Sequence, residues 1–150
     1  MPTKKTNTTV KAKPKQHKLM KEGHASNDPH GVITRHICLS RDLGVGGNLY
    51  GGVMLSWIDE AAAIYGMLVV GSERVVTRAF EHAEFRQPVK LGDLVEFIAD
   101  GYKIGNTSIM VNLRVEILEV STGHRIDTHR VAVTLVHVSK SGMPMPIHHD

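Results

Sequence analysis

Residues 51–68 read Gly51-Gly52-Val53-Met54-Leu55-Ser56-Trp57-Ile58-Asp59-Glu60-Ala61-Ala62-Ala63-Ile64-Tyr65-Gly66-Met67-Leu68, and this run decides the fold. Val53, Trp57, Ala61, Ile64 and Leu68 recur at three- and four-residue spacing, which is the period of one helix face. Met54, Ile58, Ala62 and Tyr65 make a second apolar stripe beside the first. Only Ser56, Asp59, Glu60 and Ala63 leave a narrow polar arc, so the pattern predicts a helix over Gly51–Leu68 that is covered on most sides. Such a helix is wrapped by other structure rather than laid on a surface.

Working outward, almost everything else reads as strand. Before the helix, Gly31–Arg41 is β-branched and long enough for a strand. Asp42–Asn48 (DLGVGGN) carries three glycines and reads as a loop. After the helix, Arg74–Gln87 is a long strand candidate closed by Pro88, and Leu91-Gly92-Asp93 turns the chain into a strand over Leu94–Lys103. Gly105-Asn106 is a two-residue hairpin signal. Ile109, Val111, Leu113, Val115 and Ile117 then alternate with Met110, Asn112, Arg114, Glu116 and Leu118, the period of a strand that is apolar on one face. Ser121-Thr122-Gly123 turns the chain into a last strand over Arg125–Val138. One helix followed by long antiparallel strands on short turns is an α+β architecture, a sheet wrapped on a central helix. The far face and edges of such a sheet call for a second copy, so a homo-oligomer is expected.

The chain has 150 residues, with 41% hydrophobic and 22% charged, enough for one domain with its own core. Residues 1–30 hold seven lysines against Glu22 and Asp28, a local net charge of +5, and are expected to form a basic, flexible tail. The whole chain carries +3, which leaves −2 for the domain over residues 31–150. The tail has no aromatic residue, so the basic balance does not imply a nucleic-acid partner. No run approaches the ~18 consecutive apolar residues of a membrane span. Cys38 is the sole cysteine, so no internal disulfide forms; a soluble cytoplasmic protein is the expectation.

Two features bear on chemistry. Gly46-Gly47-Asn48-Leu49-Tyr50-Gly51-Gly52 leads into the helix, and glycines there leave the first helical N–H groups bare at the positive end of the dipole. Such a site suits an oxygen that gains charge, as a thioester carbonyl does on attack. The other reading is a turn capped by an asparagine. Asp59 lies eight positions after Gly51, roughly 12 Å along one helix, too far for both to act on one carbonyl within a chain. Two helices meeting across a two-fold axis would bring Asp59 of one near Gly51 of the other. Otherwise Ser56, Asp59 and Glu60 are the wet arc of the helix. The ten histidines form no His-x-x-x-His helix pair and no Cys-x-x-Cys accompanies them, so no metal site is expected. Gly-x-Ser-x-Gly and P-loop patterns are missing.

Gly47-Asn48-Leu49-Tyr50-Gly51-Gly52, followed by Met54-Leu55-Ser56-Trp57-Ile58-Asp59-Glu60-Ala61, resembles the signature of hotdog-fold acyl-CoA thioesterases of the brain acyl-CoA hydrolase type. The resemblance runs on through Arg74-Val75-Val76-Thr77, Phe85-Arg86-Gln87-Pro88, Leu91-Gly92-Asp93 and Gly105-Asn106-Thr107-Ser108-Ile109. It implies a hydrolase of acyl-CoA in fatty acid metabolism that needs no cofactor, coenzyme A being part of the substrate. It also implies that Asn48 and Asp59 are a catalytic pair from different subunits. Asp59 would be general base or nucleophile, and Asn48 would orient the thioester or the water. Gly51 and Gly52 amides would steady the oxyanion, and Gly105, Asn106, Thr107 and Ser108 would contact coenzyme A. Arg78, Arg86, Lys90, Lys103 and Arg114 are further candidates for the phosphates. Two rival readings are a non-catalytic acyl-CoA sensor and a hydroxyacyl dehydratase. The latter needs a histidine near the loop, and none occurs between His36 and His82.

Overall fold

The computed structural model describes residues 31–148; the expected basic tail over residues 1–30 lies outside the described residues. The chain runs β1 (Val32–Ile37), α1 (Gly51–Val70), β2 (Val75–Phe85), β3 (Leu94–Ile104), β4 (Ser108–Glu119) and β5 (His124–His137). The strands make one antiparallel sheet in the order β1-β3-β4-β5-β2. This is the α+β arrangement expected, with a single helix laid on a long-stranded sheet.

The helix forms because its interior is rich in alanine and unbranched apolar residues. It stops at Gly71, whose left-handed φ of 71° lets its N–H return to the Met67 carbonyl at 2.9 Å. Met54, Ile58, Ala61, Ala62, Tyr65 and Gly66 are buried against the sheet. Contact is closest at Gly66, where a Cβ would stand 2.3 Å from Leu135 Cδ1 on β5. The sheet answers with Val95, Phe97, Ile109, Val111, Leu113, Val115, Val133 and Leu135, all inward by strand alternation.

Two expectations need correction. The helix is not covered on most sides within one chain: Val53, Trp57 and Ile64 are half-buried and Leu68 is 41% exposed. A five-stranded sheet of this length bends over one helix face without closing around it. By length and composition α1 could also cross a membrane; here its buried stripe rests on the sheet instead. The first strand, read as Gly31–Arg41, ends at Ile37, because Asp42 Oδ2 accepts the Leu39 N–H at 2.9 Å and closes a 3₁₀ turn over Ser40–Asp42.

Strand β2 lies at the sheet edge with its other side unpaired among the described residues, and Val76, Phe80 and Phe85 on it are 49%, 42% and 52% exposed. Bulges interrupt every ladder. The one on β5 inserts Thr128 as an extra residue between the Val115–His129 and Glu116–Asp127 pairs.

Candidate active site

The loop into the helix is fastened by backbone bonds. Gly44 N–H donates to Asn48 O at 2.8 Å, Leu49 N–H to Val89 O at 2.8 Å, and Tyr50 N–H to Asp42 O at 2.9 Å. Gly47 supplies the turn with φ of 78°. Tyr50 is the helix N-cap and offers no side-chain cap; its carbonyl takes the Val53 and Met54 N–H groups. The Gly51 and Gly52 N–H groups therefore have no partner among the described residues. They stand at the positive end of a twenty-residue helix. Space beside Gly51 is open: a Cβ there would meet nothing within 4 Å.

Of the two glycines, Gly51 lines a cleft of about 230 Å³. Asn48, Gly51 and Met54 of the loop and helix line it together with Phe85, Pro88, Val89 and His129. The Asn48 side chain makes no hydrogen bond among the described residues, so its amide is available to a ligand. Arg86 also lines the cleft, but its guanidinium is held by Glu84 at 2.6 Å and lies 3.6 Å from Asp127. The Glu84 bond, opposed by desolvation, raises its pKa further above the ordinary value.

His129 was not among the expected site residues. It is 5% exposed, and burial pulls its pKa down to about 4, the Asp127 carboxylate opposing weakly, so the ring is neutral at pH 7. Phe85 meets it edge-on, centroids 4.9 Å apart. The sequence does hold a signal for it: His129 shares strand parity with Val131, Val133 and Leu135, all of which are buried.

Asp59 lies elsewhere. It takes a hydrogen bond from Thr77 Oγ1 at 2.5 Å, which ties the helix carboxylate to the edge strand. It does not line the cleft. Thr77 pairs with Leu135 and Phe85 with His129, six residues apart on β5, or roughly 20 Å. One chain thus separates Asp59 from Asn48 and Gly51 along β2. Thr77 was not singled out from sequence; its signal is a lone hydroxyl in a β-branched run.

Gly105, Asn106, Thr107 and Ser108 form the β3–β4 turn, closed by Gly105 N–H to Ser108 O at 2.8 Å. The C-terminal segment straps this turn through Ile147 N–H, which donates to Asn106 O at 2.7 Å, and the end of β5 holds it through His137 N–H to Thr107 O at 2.9 Å. Of the basic candidates, Arg114 is occupied by Asp100 and Glu116. Arg78, Lys90 and Lys103 are exposed. Among the described residues no three His, Cys, Asp or Glu side chains converge as metal ligands.

A helix N-terminus with bare amides, a glycine-rich loop and a long sheet on one helix together narrow the family, and comparison decides it. The family model of the thioesterase superfamily matches residues 46–123, from the loop through the β4–β5 turn. The chain belongs to the thioesterase superfamily. The acyl-CoA thioester hydrolase YciA of Salmonella typhimurium is 31% identical over 125 residues, 81% of this chain and 93% of that protein. The hexameric thioesterase y2039 from Yersinia pestis superposes with a TM-score of 0.74 at 29% identity, covering 79% of this chain and 96% of that one. The acyl-CoA hydrolase from Staphylococcus aureus, solved with butyryl coenzyme A and coenzyme A, gives 0.70 at 25% identity, covering 78% and 74%. This thioesterase therefore has the hotdog fold, as its single helix and five-stranded antiparallel sheet indicate.

Proposed function

We propose that this thioesterase hydrolyses acyl-CoA to a free acid and coenzyme A at a site shared between two subunits. The observation that carries the reading is the placement of Asp59 and the Asn48–Gly51 cleft at opposite ends of an uncovered edge strand. β2 runs from Val75 to Phe85, so a two-fold axis at its midpoint, Phe80, sets Thr77 opposite residue 83 of the second copy. That is two residues from Phe85 in the cleft wall. Asp59 of the partner subunit would then face Asn48 and Gly51 of the first, and the pairing would cover Val76, Phe80 and the open edge.

In this arrangement the thioester oxygen sits on the Gly51 and Gly52 amides, which hold the charge that develops on attack. Asn48 orients the thioester. Asp59 takes a proton from water as the water oxygen bonds to the carbonyl carbon, and that proton leaves with the coenzyme A sulfur when the C–S bond breaks. The Gly105–Ser108 turn contacts the nucleotide end of coenzyme A. No cofactor is required beyond the coenzyme A of the substrate. The hexamers formed by relatives support a dimer repeated three times. The buried free thiol of Cys38 suits the cytoplasm.

Thiol release from acyl-CoAs of increasing length, followed for wild type and Asp59→Asn, tests the assignment. Turnover in the wild type and a loss of ~10²-fold or more in the variant is expected. Single turnover in ¹⁸O-water tests for a nucleophile, because label on Asp59 would show an anhydride hydrolysed at its aspartyl carbonyl. Tight coenzyme A binding without turnover on any member of the panel would make the chain a sensor instead.

A further inference from the structure

The cleft holds one immobilised acceptor that the reaction as written does not use. Thr128 Oγ1 donates its single hydrogen to Val115 O at 3.0 Å. It lies 2.8 Å from His129 Nδ1, so it can only accept there, and Nδ1 must carry the ring proton. Nε2 is then a bare lone pair. It has no protein partner among the described residues and is not sealed in the interior. The bulge makes this possible: Thr128 is the extra residue on β5, fully buried beside the ladder, and its carbonyl also takes the Arg86 N–H at 2.8 Å. Phe85 holds the ring edge-on from β2.

The donors and this acceptor line the same cleft from different elements. Gly51 and Asn48 belong to the loop and helix, His129 to the sheet. A water attacking a carbonyl presents a lone pair to the carbon, so both its hydrogens need acceptors facing away from the donors that hold the carbonyl oxygen. Asp59 of the partner subunit can take one. Among the cleft side chains, Arg86 only donates, Gln87 is exposed and Asn48 is engaged with the thioester in the proposed arrangement, which leaves His129 as the fixed acceptor for the other.

We propose that His129 positions the hydrolytic water, its Nε2 accepting one of the two water hydrogens while the other passes to Asp59. His129 gives and takes no proton in the cycle. It keeps the one on Nδ1, while the C–O bond forms, the C–S bond breaks and the proton from Asp59 goes to sulfur. This assignment rests on the shared-site reading above and adds a residue to it.

The test is steady-state hydrolysis of butyryl coenzyme A by the intact oligomer. His129→Leu should lower kcat about 10- to 100-fold with KM within twofold, and His129→Gln, which restores an acceptor oxygen, should recover most of the loss. Thr128→Val, which frees the tautomer, should lower kcat in the same sense. Imidazole ¹⁵N shifts of the wild type read the tautomer directly and depend on no variant folding; a neutral ring protonated on Nδ1 at pH 7 is expected. An unchanged kcat in His129→Leu, a raised KM at constant kcat, or a ring protonated on Nε2 overturns the assignment. A wild type inactive on every acyl-CoA overturns the shared-site reading instead, so the two failures are told apart.

Discussion

Thr77 Oγ1 lies 2.5 Å from Asp59 Oδ1, and this bond fastens the carboxylate of the helix to the strand at the open edge of the sheet. It holds one carboxylate oxygen, Oδ1. Thr77→Val removes the donor while keeping the β-branched shape, so the strand should persist. We expect kcat to fall about tenfold with KM nearly unchanged, and Thr77→Ser to restore it. Equal kinetics in all three proteins would show that the bond does not position Asp59.

The shared site predicts complementation. Asn48→Ala and Asp59→Asn homo-oligomers should each be close to inactive, because each spoils every site. Co-expressed, they form mixed dimers in which one of two sites is intact, so about a quarter of wild-type activity should return under random pairing. A mixture as inactive as its parents would place both residues in one subunit's site.

His129 makes stability depend on pH. Its folded pKa of about 4 lies below the ordinary value of 6.5, so the folded ring refuses a proton that the unfolded chain accepts. Above pH 6.5 both states are neutral and the stability is fully present. It is lost as pH falls from 6.5 toward 4, at a slope approaching roughly 1.4 kcal/mol per pH unit, and levels off below. Urea midpoints across that range should show this component in the wild type and lack it in His129→Leu. Parallel curves for the two proteins would contradict it.

Packing at Gly66 gives a prediction independent of chemistry. A methyl group there would stand 2.3 Å from Leu135 Cδ1, so in Gly66→Ala either the buried Leu135 side chain shifts or the helix lifts from β5. The improved helix propensity offsets about 1 kcal/mol, while overpacking costs about 1–3 kcal/mol. Net destabilisation, read as a lower Tm, is expected. A shortened partner in Gly66→Ala with Leu135→Ala should relieve the clash, and a Tm no higher in the double variant than in the single one would count against it.

The helix and strands were legible because each follows a simple period: three to four residues over 51–68, two residues over 109–117. Gly51 at the helix start was legible from the glycine-rich approach, whereas Asn48 and Asp59 as a proposed pair came from the resemblance of the whole 47–61 stretch. What stayed hidden depends on two strands at once. The Thr128 bulge exists only as an offset between β4 and β5, and without it His129 is one more histidine in an apolar run. The Thr77–Asp59 bond needs the helix angle across β2, which no single segment encodes. The extent of helix coverage was overestimated because periodicity reports which residues avoid water, not whether the same chain or another shields them.

The edge position of β2 carries a consequence for how such a hydrolase behaves in a cell. If the site is shared between subunits as proposed, a newly made, unassembled chain has no complete site and would not hydrolyse coenzyme A esters. Catalytic power would rise with the square of chain concentration until pairing saturates, so the amount of protein sets a threshold, and dilution alone turns the activity off. Molecules that cap the edge strand would inhibit without ever entering the substrate cleft.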